Sequence, residues 1–518
     1  MKSNLIIAII IILQTCNVFT QPPANRYTTN LFPNIMETTN VLFSTNVPRP
    51  NPGGGFYETI TGLPLNVDEF STTQVNLYMN IFQPTGDTLK KRPVIIICFG
   101  GGFVTGSKDH WSIRLMAQEL AKRGFVTAVI DYRLGMNIFD EELSKRAVYR
   151  GVQDARSAVR FFKANAAGTN SYRIDPNNIY IGGHSAGAFL ATHNAYLDME
   201  SERPASTYVW PQGCGFLDLY TCYCPDQLCL DCVGNNQAYS GHAKAIFSLA
   251  GAVGDVAYMQ TSANPKVVMF HSEDDDTVPY DNGEPFSGIT WIVIGDDLPT
   301  VYGSLPMSER ANTIGLANQF YSYTNRGHSV HEATINTLYS DIIPSISNWF
   351  FLQLLKPSVH FISGKTKVCN STPVQTYNTQ AGLANYYQWQ VTGGSFISMH
   401  PSQPFVTVHW NPDAPVKSLS LIPYSINDAK GDTTIINITT STTFQNSWIS
   451  TVDGMWNSSN NWSIGSIPES CHNVIIPAQI LPISVTVPQN QLYQIKSLNI
   501  GNKVTVKVNN PTQLIIQN

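Results

Sequence analysis

Residues 180–191 read YIGGHSAGAFLA, a single serine, Ser185, set between Gly183 and Gly187. In a chain with 36 glycines the pattern G-x-S-x-G is weak alone. Its flanks carry more. The run NIYI before it reads as a strand, and SAGAFLATHNAYL after it reads as a helix. A sharp strand-to-helix turn would hold Ser185 in a strained backbone and raise its hydroxyl, with small residues on either side to allow close packing.

A serine alcohol is a poor nucleophile unless a base takes its proton, and the base needs an acid to orient it. Downstream, VVMFHSEDDDTVP (267–279) places carboxylates just past a strand, among them Glu273, Asp274, Asp275 and Asp276. Asp255 in GAVGDVAY is the reserve acid. YTNRGHSVH (323–331) offers His328 after a glycine beyond the last strand, with His331 read as already inside the final helix. His184 is read as shaping the turn rather than serving as base.

Around these residues, from about 92 to 355, β-branched runs alternate with helical patterns, which predicts a parallel sheet with crossover helices, an α/β class. The strands are RPVIIIC, FVTAVIDYR, NNIYIGG, AKAIFSLAG, PKVVMFHS and QFYSYT, preceded by an antiparallel entry at VNLYMNIFQP. A helix ends at Gly124, and a last one runs from about His331 to Leu355. Val148, Val152, Ala155, Val159 and Phe162 fall on one helical face, so Arg146, Arg150, Arg156, Arg160 and Lys163 are expected on a solvated face.

These segments identify a resemblance: residues from about 57 to 355 resemble the α/β-hydrolase esterases and lipases that carry an HGGG-type loop. CFGGGF (98–103) matches HGGGF with Phe99 in place of the histidine. The order Ser, Asp, His is that family's order. The resemblance implies oxyanion donors at the backbone amides of Gly101, Gly102 and Ala186. Aligning HSEDDDTVP on the family pattern H-G-x-x-D-x-x-V-P selects Asp275 as the acid, and the family's G-H motif selects His328 as the base.

The remaining chain sets the context. Lys2 followed by Leu5 to Leu13 reads as a signal peptide over 1–20, with cleavage before Gln21 and lipidation at Cys16 as the lesser reading. Secretion or display on a bacterial cell surface is therefore expected. The catalytic domain is assigned to 21–356, with a lid over about 198–242. That segment holds Cys214, Cys222, Cys224, Cys229 and Cys232, read as a disulfide-stapled loop, with zinc as the alternative for the last four. Its Trp210, Phe216, Leu217, Leu219 and Tyr220 are read either as pocket lining or as the lid's own core, and GITWIVIGDDLPTVYG (288–303) is read as bordering the same cleft.

After Pro357 helical periodicity gives way to Thr, Ser, Asn and Val between turn residues. Residues 357–440 are expected to form a β-sandwich that resembles PKD-like or immunoglobulin-like domains of secreted bacterial enzymes, on NYYQWQVTGGSF and VTVHW. Residues 441–518 are read as a second β module or a solenoid-like repeat. Trp456 and Trp462 are read as core residues before a sugar-stacking platform.

The formal charge of −5 and 13% charged residues leave no basic footprint for nucleic acid. No segment after the signal peptide reads as a membrane span, and no cofactor or metal signature is visible. The expected function is a secreted serine carboxylesterase acting on a small or polymer-linked ester. Feruloyl or acetyl-xylan esterase, lipase or polyester hydrolase, and peptidase are rivals within enzymes, and a non-catalytic binding protein is the rival outside them. Carbohydrate or surface contact is assigned to the C-terminal β modules.

Overall fold

β3 (Arg92–Cys98) is buried at every position, because helices cover both faces of the sheet it centres. In the computed structural model, residues 21–52, 67–138, 140–207, 229–287, 298–382 and 384–517 are described. The chain divides into two compact units, Ala24–Lys356 and Pro357–Asn518, with the described residues up to Pro23 grouped with the second. The signal-peptide reading over 1–20 lies outside the described residues.

The first unit is built on an eight-stranded sheet. β1 (Ile35–Pro52) and β2 (Val67–Pro84) pair antiparallel, and β2 pairs antiparallel with β4 (Val126–Ile130). From there the sheet is parallel: β4, β3, β5 (Ile174–His184), β6 (Ala245–Leu249), β7 (Lys266–Ser272) and β8 (Asn318–Tyr323). The antiparallel entry and the parallel centre are those expected from the pattern of apolar runs. Together they make an α/β-hydrolase sheet in the N-terminal part of the chain.

Strand order β1-β2-β4-β3-β5-β6-β7-β8 makes the chain leave β3 toward one edge and β5 toward the other. Where connections diverge in this way, a crevice opens at the carboxyl ends of the strands. The Gly100–Gly102 loop follows β3, and Ser185 follows β5. Topology alone therefore brings two segments far apart in sequence to one crevice.

The crossover helices are α1 (Trp111–Lys122), α2 (Glu141–Ala167), α3 (Ala186–Tyr196) and α4 (Ser304–Thr313), and α5 (Ile343–Phe350) follows the last strand of this sheet. α2 starts earlier than its apolar stripe suggests, because Asp140 caps it by accepting from the Leu143 amide at 2.9 Å.

The arginines of α2 differ from the sequence expectation. Arg146, Arg150, Arg156 and Arg160 are each at most 1% exposed. The described ends of the 198–242 insertion fold onto α2, and their carbonyls take up the guanidinium protons. Arg146 donates to Ser206 O at 2.6 Å, Arg156 to Leu230 O at 2.6 Å and to Leu197 O, and Arg160 to Asn235 O at 3.1 Å. Lys163 donates to Ser240 O at 2.8 Å. Helical spacing predicts a solvated face here, and it carries no sign of the irregular segment that supplies acceptors to the guanidinium groups. Cys229 and Cys232 are joined by a disulfide, so neither sulfur is a zinc thiolate. Residues 208–228, with Cys214, Cys222, Cys224 and the aromatic residues of the lid reading, lie outside the described residues.

The second unit is all β. Two three-stranded antiparallel sheets, one holding Val374–Asn378, Phe405–Trp410 and Gly394–Met399, enclose Tyr377, Trp389, Val408, Trp410 and Leu421. From Phe444 onward the described strands pair parallel, with one isolated antiparallel bridge between Trp448 and Trp462. His472–Ile476 lies beside Ser497–Ile500, Ile483–Val487 beside Val504–Val508, and Leu492–Ile495 beside Gln513–Ile516. This is the stacking of a solenoid. Trp448, Trp456 and Trp462 fill its interior, at most 1% exposed, and no stacking platform is made from Trp456 or Trp462. Cys369 and Cys471 join the two parts of this unit by a disulfide.

Candidate active site

At the end of β5 the backbone of Ser185 turns to φ 53°, ψ −123°, a region that a residue with a side chain enters only under constraint. Its amide donates to Leu249 O on the neighbouring β6 at 2.9 Å. Gly183 and Gly187 make the turn feasible. A Cβ on either would come to 2.4 Å and 2.2 Å from Cys98 O, so the elbow packs against β3 with no room for a side chain on either flank. This is the local reason for the G-x-S-x-G spacing.

The side chains then form one chain of hydrogen bonds. Ser185 Oγ lies 2.8 Å from His328 Nε2, and His328 Nδ1 lies 2.9 Å from Asp275 Oδ2. The amides of Thr277 and Val278 donate to Asp275 Oδ1, both at 2.9 Å. The Asp275 carboxyl has no solvent exposure. Burial alone would raise its pKa, but the hydrogen bonds it accepts from His271 and His328, and the favourable electrostatics of those two rings, outweigh it and hold the group well below the usual carboxylate range. An acceptor-only carboxylate so placed directs the Nδ1 proton of His328 toward itself and leaves Nε2 free to accept from Ser185.

Asp255 does something else. It caps the short turn Val256–Tyr258, accepting from the Ala257 amide at 2.8 Å. Asp274 bonds Ser272 and the Gly327 amide, which ties the acid loop to the histidine loop.

The loop after β3 turns back on itself, with the amides of Val104 and Thr105 donating to Gly101 O at 3.1 and 3.0 Å. Gly101 and Gly102 line the same cavity as Ser185 and His328. Ala186 is the first residue of α3, where backbone N–H groups have no acceptor within the helix and the dipole favours negative charge. Phe99, in place of a histidine, stacks on Tyr132 with centroids 4.3 Å apart, and Tyr132 Oη donates to Phe99 O at 3.0 Å. An aromatic pair thus braces the loop.

Opposite lies a polar wall that the sequence reading did not foresee. His331 is not in the last helix. Thr334 caps the helical turn that begins at Ile335, and the preceding turn folds His331 inward, 1% exposed, with Nε2 3.3 Å from Ser112 Oγ. His110 reaches the same hydroxyl at 3.1 Å. Burial first, then the charges of His110 and His328, depress His331 to about 3, so it is neutral. His184, packed between His328 and His331, is lowered well below its ordinary value by burial and by those rings, and it bonds His328 O at 3.2 Å. The positions of His110, Ser112 and His331 carry no local motif, so only folding could reveal the cluster.

His271 is the other addition. The sequence reading used it only as an alignment anchor. Its Nε2 lies 3.0 Å from Asp275 Oδ2 and its Nδ1 3.0 Å from Ser304 Oγ.

Residues 79–288 match the BD-FAE family. Among curated proteins, Gut esterase 1 of Caenorhabditis elegans is 35% identical over 113 residues, 22% of this chain and 19% of that protein. The neuroligin-like protein glit-1 of the same organism is 37% identical over 118 residues, covering 22% of this chain and 15% of that one. The chain thus spans well under a third of the length of these relatives. Among solved structures, apo Thermogutta terrifontis esterase 2 aligns with a TM-score of 0.37 at 19% identity, over 54% of this chain and 90% of that one. The family match and the esterase relatives support a hydrolase of the carboxylic ester type.

Among the described residues, the one cluster with metal-ligand geometry is Cys369, Cys471 and His472, and its two sulfurs are spent on a disulfide. No described helix is long and apolar enough to cross a membrane.

Proposed function

We propose that the protein is an exported serine carboxylesterase that works through an acyl-enzyme. The observation that carries this reading is the hydrogen-bonded run Ser185 Oγ, His328 Nε2, His328 Nδ1, Asp275 Oδ2 at 2.8 and 2.9 Å on a strained elbow. Ser185 Oγ attacks the ester carbonyl while His328 Nε2 takes its proton. The carbonyl electron pair moves to oxygen, where the amides of Gly101, Gly102 and Ala186 receive it. Collapse expels the alcohol, protonated by His328. Water, deprotonated by the same nitrogen, then attacks the acyl carbonyl and releases the acid with Ser185 restored.

Asp275 serves by orientation and by stabilising the imidazolium. Export rests on the sequence of 1–20 and on disulfides at Cys229–Cys232 and Cys369–Cys471, which suit an oxidising compartment. The test is the purified chain with p-nitrophenyl acetate and a fluorophosphonate probe. The wild type hydrolyses the ester and takes up one probe at Ser185, and Ser185→Ala does neither. Equal turnover by Ser185→Ala overturns the reading.

A further inference from the structure

Two cavities open from Ser185, and the base lines only one of them. The larger, ≈ 490 Å³, is lined by His328 together with His110, Ser112, His331 and Glu332. The smaller, ≈ 50 Å³, is lined by Gly102, Ala186, Val278, Phe286, Phe189 and Val148, with no histidine among the described residues around it. Chemistry assigns the two. The leaving oxygen must receive its proton from His328 Nε2, so the alcohol occupies the cavity that contains that ring. Of the three amides that would receive the carbonyl oxygen, Gly101 lines the larger cavity, Gly102 lines both and Ala186 lines the small one alone, so the oxygen sits at their junction and the small pocket beside Ala186 is left for the acyl chain.

At about 10–15 Å³ per water-sized group, ≈ 50 Å³ accommodates roughly three to five such groups. The pocket ends at a wall with open space behind it. Val148 of α2, Phe189 of α3, Pro299 and Val301 line the small pocket and also a separate outer cavity of ≈ 520 Å³. Phe189 lies one helical turn past the nucleophile, its amide donating to Ser185 O at 3.0 Å, and the residue is 7% exposed. His193 holds it there: Nδ1 lies 2.8 Å from Phe189 O, and the two rings are nearly parallel at 8° with centroids 6.1 Å apart.

We propose that Phe189 and Val148 form a partition that limits the acyl group to about five carbons, and that the outer cavity is acyl space which the partition withholds. This rests on the esterase reading above. Burying each further methylene is worth roughly fourfold in affinity, so opening the wall favours long chains strongly.

The experiment compares kcat/KM for p-nitrophenyl acetate, butyrate and octanoate in the full-length wild type, Phe189→Ala and Val148→Ala. Fluorophosphonate uptake counts the folded sites in each. The wild type is expected to fall at least tenfold from butyrate to octanoate. Phe189→Ala is expected to raise the octanoate-to-acetate ratio by at least tenfold, and Val148→Ala by about threefold. A wild type that cleaves octanoate as fast as acetate, or a labelled variant that keeps the wild-type ratio, overturns the partition while leaving the esterase intact. Should Phe189→Ala take up no probe, Val148→Ala decides alone. A wild type that neither labels nor hydrolyses any of the three esters removes the esterase reading and the partition with it.

Discussion

His271 and His328 hold one oxygen between them: Nε2 of His271 and Nδ1 of His328 lie 3.0 and 2.9 Å from Asp275 Oδ2. Because a carboxylate only accepts, both rings donate, and His271, anchored to Ser304 Oγ at 3.0 Å, sets the angle at which Asp275 meets His328. His271→Ala is expected to lower kcat about tenfold with KM nearly unchanged, and His271→Gln to recover part of the loss. Steady-state kinetics on a short ester checks both.

Asp275 and Asp255 make opposite predictions. Asp275→Asn lets His328 adopt the wrong tautomer, and kcat is expected to fall by about 10³–10⁴. Asp255→Asn removes only a turn cap and is expected to leave kcat within about twofold. Burst kinetics on p-nitrophenyl acetate, referred to labelled sites, separates the two.

The glycine loop after β3, proposed to bind the oxyanion, is tied to its neighbour by the buried bond from Tyr132 Oη to Phe99 O. Tyr132→Phe leaves the ring stack and removes that bond, worth about 1 kcal/mol. A loss of roughly fivefold in kcat/KM is expected, with circular dichroism unchanged.

Arg156 is fully buried and donates to Leu197 O, just before the 198–242 insertion, and to Leu230 O within it. Arg156→Ala strands those acceptors and is expected to cost about 2–4 kcal/mol of stability. It should also make this segment the first site of limited proteolysis, read by mass spectrometry of the fragments.

Acid sensitivity follows from His331. In the folded chain it is held down to about 3, whereas in an unfolded chain it takes a proton near its ordinary value of about 6.5. Between those values the unfolded state binds more protons. The stability contributed by neutral His331 is therefore complete above about 6.5 and is lost progressively as pH falls toward about 3. Asp275, whose folded pKa is depressed, adds nothing to this loss until pH drops below the ordinary carboxyl range of about 4. Thermal denaturation at steps from pH 7 to pH 4 should show a falling melting temperature, and His331→Gln a shallower fall.

Local chemistry was enough to single out Ser185, the proposed nucleophile. Small residues flanking Ser185 are demanded by contact with Cys98, and an apolar run before and a helical run after are visible in any window of the chain. The order Ser185, Asp275, His328 and the alternation of strands with helices are likewise written along the chain, because period and punctuation are local properties. Helix starts were less legible: His331 lies outside the last helix because a cap at Thr334 overrides the apolar periodicity.

What only the tertiary structure decided is whatever depends on partners distant in sequence. The carboxylate that faces His328 is chosen by where β7 ends relative to β8, so Asp275 stands at the base while Asp255 caps a turn. Arg146, Arg156 and Arg160 of α2 are buried because the insertion brings carbonyls to them, and the trio His110, Ser112 and His331 exists only once α1 meets the turn before Ile335. The acyl wall of Phe189 and Val148 needs α3 beside α2. Sequence determines residue type and local period, whereas charge burial and cavity shape depend on which surfaces the fold apposes.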